Sequence, residues 1–380
     1  MLAADQHKKI KLGIDAKWFF KGPPSGNMVV KNLVNQMVSD NDDRFQLYLL
    51  ITKEFKKEAT SYFPDRVKLV FLPVIPNMLS NILLIPLVAR MYGLEVMLFQ
   101  NFSSLWPRGL YKIAYIHDVL FLDYPQYYTG AELMYFKKMK RLAAKADMII
   151  TISNSEKDRL VKNKVADASR IAVVYHGINQ EFKALKDHSF EVVNVFNLKY
   201  QLPKRYLLYV GRVNIRKNIA RLVSALNLLE DKDIKLVIAG ELGSDIEVLK
   251  DHIKAEGLIH RIIFTGHVSE NDLHLFYANA TVFCFPSYAE GFGLPPLEAM
   301  QCGIPVIVSQ RTAMPEICGD AAIYIDPDHK ENIAEKINFL LNDTNLYNKK
   351  VIEGIDHAKK FSWQISANRI LKLIGDAYIN

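Results

Sequence analysis

Short apolar runs alternate with amphipathic stretches along the whole chain, and one stretch interrupts the alternation. Residues 9–16 (KIKLGIDA) read as a first strand, followed by the loop 21–27 (KGPPSGN) and a helix over 28–38. Strands are predicted over 45–52 and 67–73, and a helix with a proline break over 78–91. Apolar runs at 96–100 and 112–117 precede a helix over 128–146. A strand over 148–152 meets Ser153-Asn154-Ser155-Glu156, whose spacing is that of a capping box opening another helix. A strand over 171–175 closes the first half at His176-Gly177-Ile178-Asn179. Residues 180–204 are irregular and read as a linker. The alternation then resumes with strands over 206–211, 235–240, 262–266, 281–286, 304–309 and 321–325. Ser269-x-x-Asp272 resembles a cap for a helix to Ala280, and helices are predicted over 331–341, 346–360 and 362–378. Strands alternating with helices predict mostly parallel sheets covered on both faces. Two such halves put a ligand cleft at the carboxyl ends of their strands.

A length of 380 residues favours two domains. The boundaries expected are 1–183, 184–361 and a terminal helix over 362–380. Cys284, Cys302 and Cys318 form no spaced pair, so neither a disulfide framework nor a zinc site is expected, which fits a reducing, cytoplasmic compartment. The start, MLAADQHKKIKLGID, has no apolar core of the kind a signal peptide carries. The apolar run Ile82 to Ala89 is far too short to span a bilayer. Charge is uneven: residues 1–183 hold 26 Lys+Arg against 17 Asp+Glu, a balance of +9, while 184–380 hold 22 against 24, a balance of −2. The first half should therefore attract an anionic partner, such as a phosphorylated acceptor or an anionic membrane surface. Nucleic acid fits less well, because the basic residues lack interleaved aromatics on one face.

The stretch Pro286 to Pro305 (PSYAEGFGLPPLEAMQCGIP) carries most of the candidate chemistry. It reads as strand, tight loop, short helix and strand. Gly291 and Gly293 let backbone approach a ligand closely. Pro295 and Pro296 suit a first helical turn, whose free N–H groups and dipole favour phosphate. Glu290 and Glu298 bracket the loop and suit sugar hydroxyls rather than phosphate. Gly211-Arg212 ends a strand, and Lys217 follows five residues later. Arginine grips two oxygens and lysine adds a point charge, so this pair suits a diphosphate. Arg216 reads as part of a solvated basic loop.

His117, just past a strand of the first half, is placed to hydrogen-bond a sugar hydroxyl or to assist proton movement. The loop Gly22 to Gly26 could bring backbone N–H groups to the same phosphate. Asp231/Asp233 and Asp326/Asp328 have the spacing of a cation pair but lie badly for the cleft, so no metal is expected. Near Tyr135, Met139, Leu142, Ala143 and Ala146 share one helical face while Lys137, Arg141 and Lys145 share another. Such a basic amphipathic helix can lie on anionic lipid or be a solvated face.

With these segments together, the chain resembles the retaining glycosyltransferases of family GT4, which have the α/β GT-B architecture. The likeness rests on YVGRVNIRKN (Tyr209–Asn218), GHVSENDLHLFYANA (Gly266–Ala280), FPSYAEGFGLPPLEAMQCGIPVIVS (Phe285–Ser309), MPEICGDAAIYIDP (Met314–Pro327) and YIHD (Tyr115–Asp118). It is strongest over 206–330. The resemblance implies two Rossmann-like domains facing across a cleft, with the terminal helix crossing back to the first. It implies that Arg212 and Lys217 hold the donor diphosphate beside Gly211, and that Glu290 contacts the donor sugar. Gly291, Phe292, Gly293 and Leu294 would lie near sugar and phosphate, Gly26 would approach from the first domain, Glu298 would take the ribose and Val268 would flank the base. His117 would touch the sugar near its reacting carbon, and neither metal nor cofactor would be needed. The first loop, GPPSGNMVV, departs from the family pattern.

The reading that follows is transfer of a hexose, mannose from GDP-mannose first, to a glycan or lipid-linked acceptor in cell-surface polysaccharide synthesis, with peripheral contact at the membrane inner face. UDP- or dTDP-sugar donors, a non-catalytic sugar-nucleotide binder, an epimerase and a pyridoxal-phosphate phosphorylase are the alternatives.

Overall fold

The computed structural model describes residues 9–243 and 245–379, so the opening segment used to judge a signal peptide lies largely outside them. The chain divides into two compact units: the first runs to Gly177 and takes up Trp363 onward, and the second is Ile178–Ser362. The first contains strands β1 (Ile10–Asp15), β2 (Phe45–Thr52), β3 (Lys68–Leu72), β4 (Val96–Gln100), β5 (Tyr111–Ile116), β6 (Met148–Thr151) and β7 (Ile171–Val173). They form one sheet in the order β3-β2-β1-β4-β5-β6-β7. All pairings are parallel, with Leu12 opposite Leu47 on one side and Val96 on the other. The second unit contains β8 (Tyr206–Val210), β9 (Lys235–Ala239), β10 (Ile262–Gly266), β11 (Val282–Phe285), β12 (Val306–Ser309) and β13 (Ile323–Ile325). Their order is β10-β9-β8-β11-β12-β13, again parallel.

Sheets covered on both faces need strands that are apolar on both faces. Every residue of β4 (VMLFQ) and β8 (YLLYV) is buried, as that rule requires. Each large side chain so buried contributes about 2 kcal/mol. Strand order reverses between β1 and β4 in one unit and between β8 and β11 in the other. Those are the switch points at which open α/β sheets bind ligands.

The terminal helix Trp363–Ile379 belongs to the first unit, where it packs on the helix Pro24–Asp40. Its buried Ala367, Ile370, Leu371 and Ile374 recur at helical spacing. The Ser366 hydroxyl also donates to the Tyr175 carbonyl at 2.5 Å.

Three local expectations need correction. Residues 180–204 are not simply irregular: Phe190–Tyr200 is a helix capped by Ser189. Phe190, Val195 and Leu198 are exposed while Phe196 is buried, so apolar residues on several faces blur the period. Ser269 does not cap its helix, because its hydroxyl donates to the Asp272 carboxylate at 2.9 Å. The stretch expected to break at proline runs from Asn77 to Tyr92 through a π turn at Ser80–Leu84, with Pro86 in the first turn beyond it. Ile85, Pro86 and Ala89 face the core there, while Leu83 and Leu87 face solvent.

Candidate functional site

β8 and β11 lie side by side, and the site is built from the segments that leave them. After β8, Ile215–Lys217 forms one 3₁₀ turn, capped by the Asn214 side chain on the Lys217 N–H at 3.2 Å. After β11, the loop to Gly293 leads into the helix Leu294–Gln301. Backbone joins the two segments, Tyr288 N–H donating to the Arg216 carbonyl at 2.9 Å. Asn218 joins them again and adds a third: its side-chain amide donates to the carbonyls of Pro286 (3.1 Å) and Pro327 (2.7 Å). Asn218 sits at φ 56°, a left-handed conformation that asparagine tolerates better than most side chains.

Glu290 is 7% exposed and stands at the centre. Lys217 Nζ lies 2.6 Å from its Oε1, and Arg216 Nη1 lies 3.1 Å from its Oε2. Its backbone N–H donates to the Thr312 hydroxyl at 2.9 Å. Burial alone would push this carboxyl up, but the charges of Lys217 and Arg216 outweigh burial and hold it near about 2. Lys217 Nζ also stands over the Phe285 ring at 4.9 Å from its centre. Two cations thus converge on one carboxylate beside the loop.

Arg216 is therefore the member of this cluster that the sequence reading left among solvated residues. Its backbone neighbours gave no sign of a partner. The signal was the Arg-Lys dipeptide itself, both members of which turn to one carboxylate. Arg212, predicted to face the same loop, is exposed and forms no ion pair among the described residues. Gly211, beside it, takes φ 145°, and a side chain there would begin 2.9 Å from the Tyr209 hydroxyl.

Gly293 takes φ 111°, and a Cβ at that position would lie 2.2 Å from Met314 Cε. Only glycine fits both demands. Gly291 and Phe292 are buried, Phe292 meeting the Phe361 ring edge-on at 6.1 Å, and Leu294 is half-buried. The prolines do occupy the first helical turn. They also remove two N–H groups from it, so the anion-binding capacity expected there falls to Leu294, Leu297 and the loop amides.

Glu298 lies one turn into this helix and accepts from the Tyr277 hydroxyl at 2.8 Å. Burial pushes its carboxyl up to about 7, with the Tyr277 hydrogen bond opposing. Val268, just beyond β10, is buried. The Asp326/Asp328 pair is engaged by Arg311, whose Nη2 contacts Asp328 and lies 3.6 Å from Asp326. A pocket of about 500 Å³, lined by Val213, Ile219, Val248, Leu249 and His252 among others, opens beside the 214–218 turn. Neither glutamate lines it.

His117 and Gly26 belong to the first unit. The Gly22–Gly26 segment is not all loop, because the helix starts at Pro24 and Gly26 falls in its first turn. A side chain on Gly26 would begin 2.8 Å from Trp18 Cε3, so this glycine makes room for the indole. His117 follows β5 and directs Nε2 to Gln100 Oε1 at 2.9 Å. Burial pushes its imidazole down to about 4. In the basic helix, Gly130–Ala143, a Thr129–Glu132 capping box sets the start; Met139, Leu142 and Ala143 are buried, and Lys137 and Arg141 are exposed. Among the described residues no helix is long and apolar enough to cross a membrane.

Comparison with known proteins adds two family matches: Glycosyltransferase Family 4 over residues 27–182 and Glycosyl transferases group 1 over residues 194–356. The O-antigen chain mannosyltransferase B of Escherichia coli is 32% identical over 253 residues, covering 65% of this chain and 66% of that protein. A serotype-specific mannosyltransferase, WbdA, of the same species is 30% identical over 259 residues, covering 66% of this chain and 32% of its own length. The matched region is thus just under two thirds of the first relative and about a third of the second. Sucrose-phosphate synthase of Thermosynechococcus elongatus superposes with a TM-score of 0.75 at 19% identity, covering 98% of this chain and all of that one. That likeness concerns the fold, which is GT-B.

Proposed function

The chain belongs to glycosyltransferase family 4, and we propose that it transfers a hexose from a nucleotide-diphosphate sugar to a glycan or lipid-linked acceptor in surface-polysaccharide synthesis. Mannose is the sugar that the names of the mannosyltransferase relatives favour, and GDP-mannose is the donor we propose for it. The observation that carries the reading is the Lys217–Glu290–Arg216 cluster at the β8/β11 switch point. Its two converging cations, with exposed Arg212 five residues before Lys217, suit a doubly charged diphosphate. Glu290 keeps both cations aimed at one place before substrate arrives, so little reorganisation is needed as charge builds on the leaving group. Glu298, with Tyr277 fixing its rotamer, would take the ribose hydroxyls. Transfer would proceed with retention and without a metal, the cations supplying the charge that a metal would otherwise bring.

The acceptor side rests on the first unit. Its basic balance, exposed Lys137 and Arg141, and exposed Leu79, Leu83, Leu87 and Met91 along one helix support peripheral contact with an anionic membrane on its cytoplasmic side. The experiment is transfer of labelled sugar from GDP-mannose, UDP-sugars and dTDP-sugars to lipid-linked glycan extracts, with and without chelator. Labelled product from GDP-mannose, unchanged by chelator and lost in Lys217→Ala, is the expected result. Product that needs added magnesium would overturn the metal-free reading, and product from another donor only would replace mannose.

A further inference from the structure

His117 has two possible roles that a sequence leaves open: accepting a hydrogen bond from a sugar hydroxyl, or donating a proton as the nucleotide departs. Its tautomer decides between them, and the residues behind it set the tautomer. Gln100, the last residue of β4, is buried. Its side-chain Nε2 donates to the Asp15 backbone carbonyl at 3.4 Å, and its Oε1 faces His117 Nε2 at 2.9 Å. A carbonyl oxygen can only accept, so the Asp15 carbonyl requires the Gln100 amide nitrogen on its side. The Gln100 oxygen must then face the imidazole, and it too can only accept. His117 Nε2 must therefore carry the hydrogen.

The Asp15 end of this relay is itself held. Lys17 Nζ lies 3.0 Å from the Asp15 carboxylate and donates to Asn81 Oδ1 at 2.6 Å. Asn81 Nδ2 in turn donates to the Phe102 carbonyl at 2.8 Å. Asp15, Lys17, Asn81 and Gln100 are all buried, so none can turn to water without breaking the set. On its other sides the imidazole meets the Trp18 and Tyr115 rings, 5.6 Å and 5.2 Å between centroids, and its backbone N–H donates to Asn101 Oδ1 at 3.2 Å. The nearby titratable groups are Asp118, next in the chain, and His176, which also stacks on Tyr115.

We propose that Gln100 is a positioning residue that holds His117 as the Nε2–H tautomer, so that Nδ1 presents a lone pair to a hydroxyl of the bound sugar. Burial keeps the ring neutral near pH 7, so the lone pair is available there. In that state His117 cannot supply a proton to the departing phosphate. The sugar as bound group rests on the glycosyltransferase reading, whereas the tautomer does not.

The test is ring-nitrogen NMR of the full chain labelled at its ten histidines, with the His117 signals assigned by their loss in His117→Asn. The unaltered protein should show a protonated Nε2 and a bare Nδ1. Gln100→Leu should yield mixed tautomers and lower kcat/KM roughly tenfold, the scale of one lost hydrogen bond with its orientation. Gln100→Glu keeps an acceptor facing the ring but loses the donor to the Asp15 carbonyl, so it should retain the Nε2–H tautomer and raise the pH at which the ring charges. A protonated Nδ1 in the unaltered protein would overturn the proposal, even where Gln100→Leu fails to fold. An unchanged tautomer in a folded Gln100→Leu would overturn it as well. The predicted tautomer in a protein that transfers nothing from any nucleotide sugar would sink the functional reading and leave the role of Gln100 standing.

Discussion

Lys217 Nζ stands 2.6 Å from Glu290 Oε1, and the two residues, 73 positions apart in sequence, come from the segments that follow two adjacent strands. Each holds the other in place. Lys217→Ala should therefore lower both transfer and stability: kcat about 100-fold, as for loss of a preorganised charge, and folding by about 2 kcal/mol, as for a hydrogen bond to a charged group. Arg212→Ala should lower transfer with little change in melting temperature, because Arg212 is exposed. Steady-state kinetics beside thermal melts separate the two. Equal melting losses in both variants would contradict the assignment.

Glu290 gives stability a defined acid limit. Its folded carboxyl is held near about 2, below the ordinary 4.5, so the unfolded chain binds the proton first as pH falls. The contribution is complete above about 4.5 and is lost as pH falls toward about 2, amounting to about 3 kcal/mol. Denaturant melts across that window should show the loss in the unaltered protein and a shallower one in Glu290→Gln. Parallel acid profiles would show that the ion pairs do not hold Glu290 ionised.

Glu298 works in the opposite direction. Its folded carboxyl is raised to about 7, so its stability contribution is full below about 4.5 and lost as pH rises through 7. Ribose hydroxyls donate better to the ionised form, so nucleotide affinity should rise between about pH 6 and pH 8. Tyr277→Phe removes the hydroxyl that favours ionisation and should move that rise to higher pH. Calorimetric titration of the nucleotide at several pH values checks this. An affinity independent of pH would separate Glu298 from the nucleotide.

Gly293→Ala should destabilise the start of the Leu294–Gln301 helix through both the backbone angle and the contact with Met314. The combined cost is about 2 kcal/mol or more. In a Met314→Ala background, itself weakened by the cavity it leaves, Gly293→Ala should cost only the part due to φ. No further loss on adding Gly293→Ala to that background would mean that the backbone angle carries no strain.

Most strands were legible because a parallel sheet buried on both faces writes them as apolar runs. β2, β4 and β10 match the predicted limits to the residue. The carboxylates and the glycine turn were legible because Gly291, Gly293 and the prolines punctuate the chain. Arg216 was not, since a cation beside another cation carries no mark of which one turns inward. Only the 3₁₀ turn at Ile215–Lys217 aims both at Glu290. Gln100 was hidden for a similar reason. It ends an apolar strand as its one polar residue, and its significance depends on the Asp15 carbonyl 85 residues away. The helix Phe190–Tyr200 escaped because its apolar residues do not keep to one face.

The loop from Glu290 to Glu298, served by Arg216 and Lys217, is proposed as the nucleotide-sugar site. A thermal-shift panel of GDP-mannose, UDP-sugars and dTDP-sugars, each with and without magnesium, tests it most directly. Ligand at about 100 times its Kd stabilises the folded state by about 2.7 kcal/mol, a readily measured rise in melting temperature. The predicted result is a rise with GDP-mannose, unaffected by chelator and lost in Lys217→Ala. Failure of every nucleotide sugar to raise the melting temperature of the unaltered protein would contradict the claim.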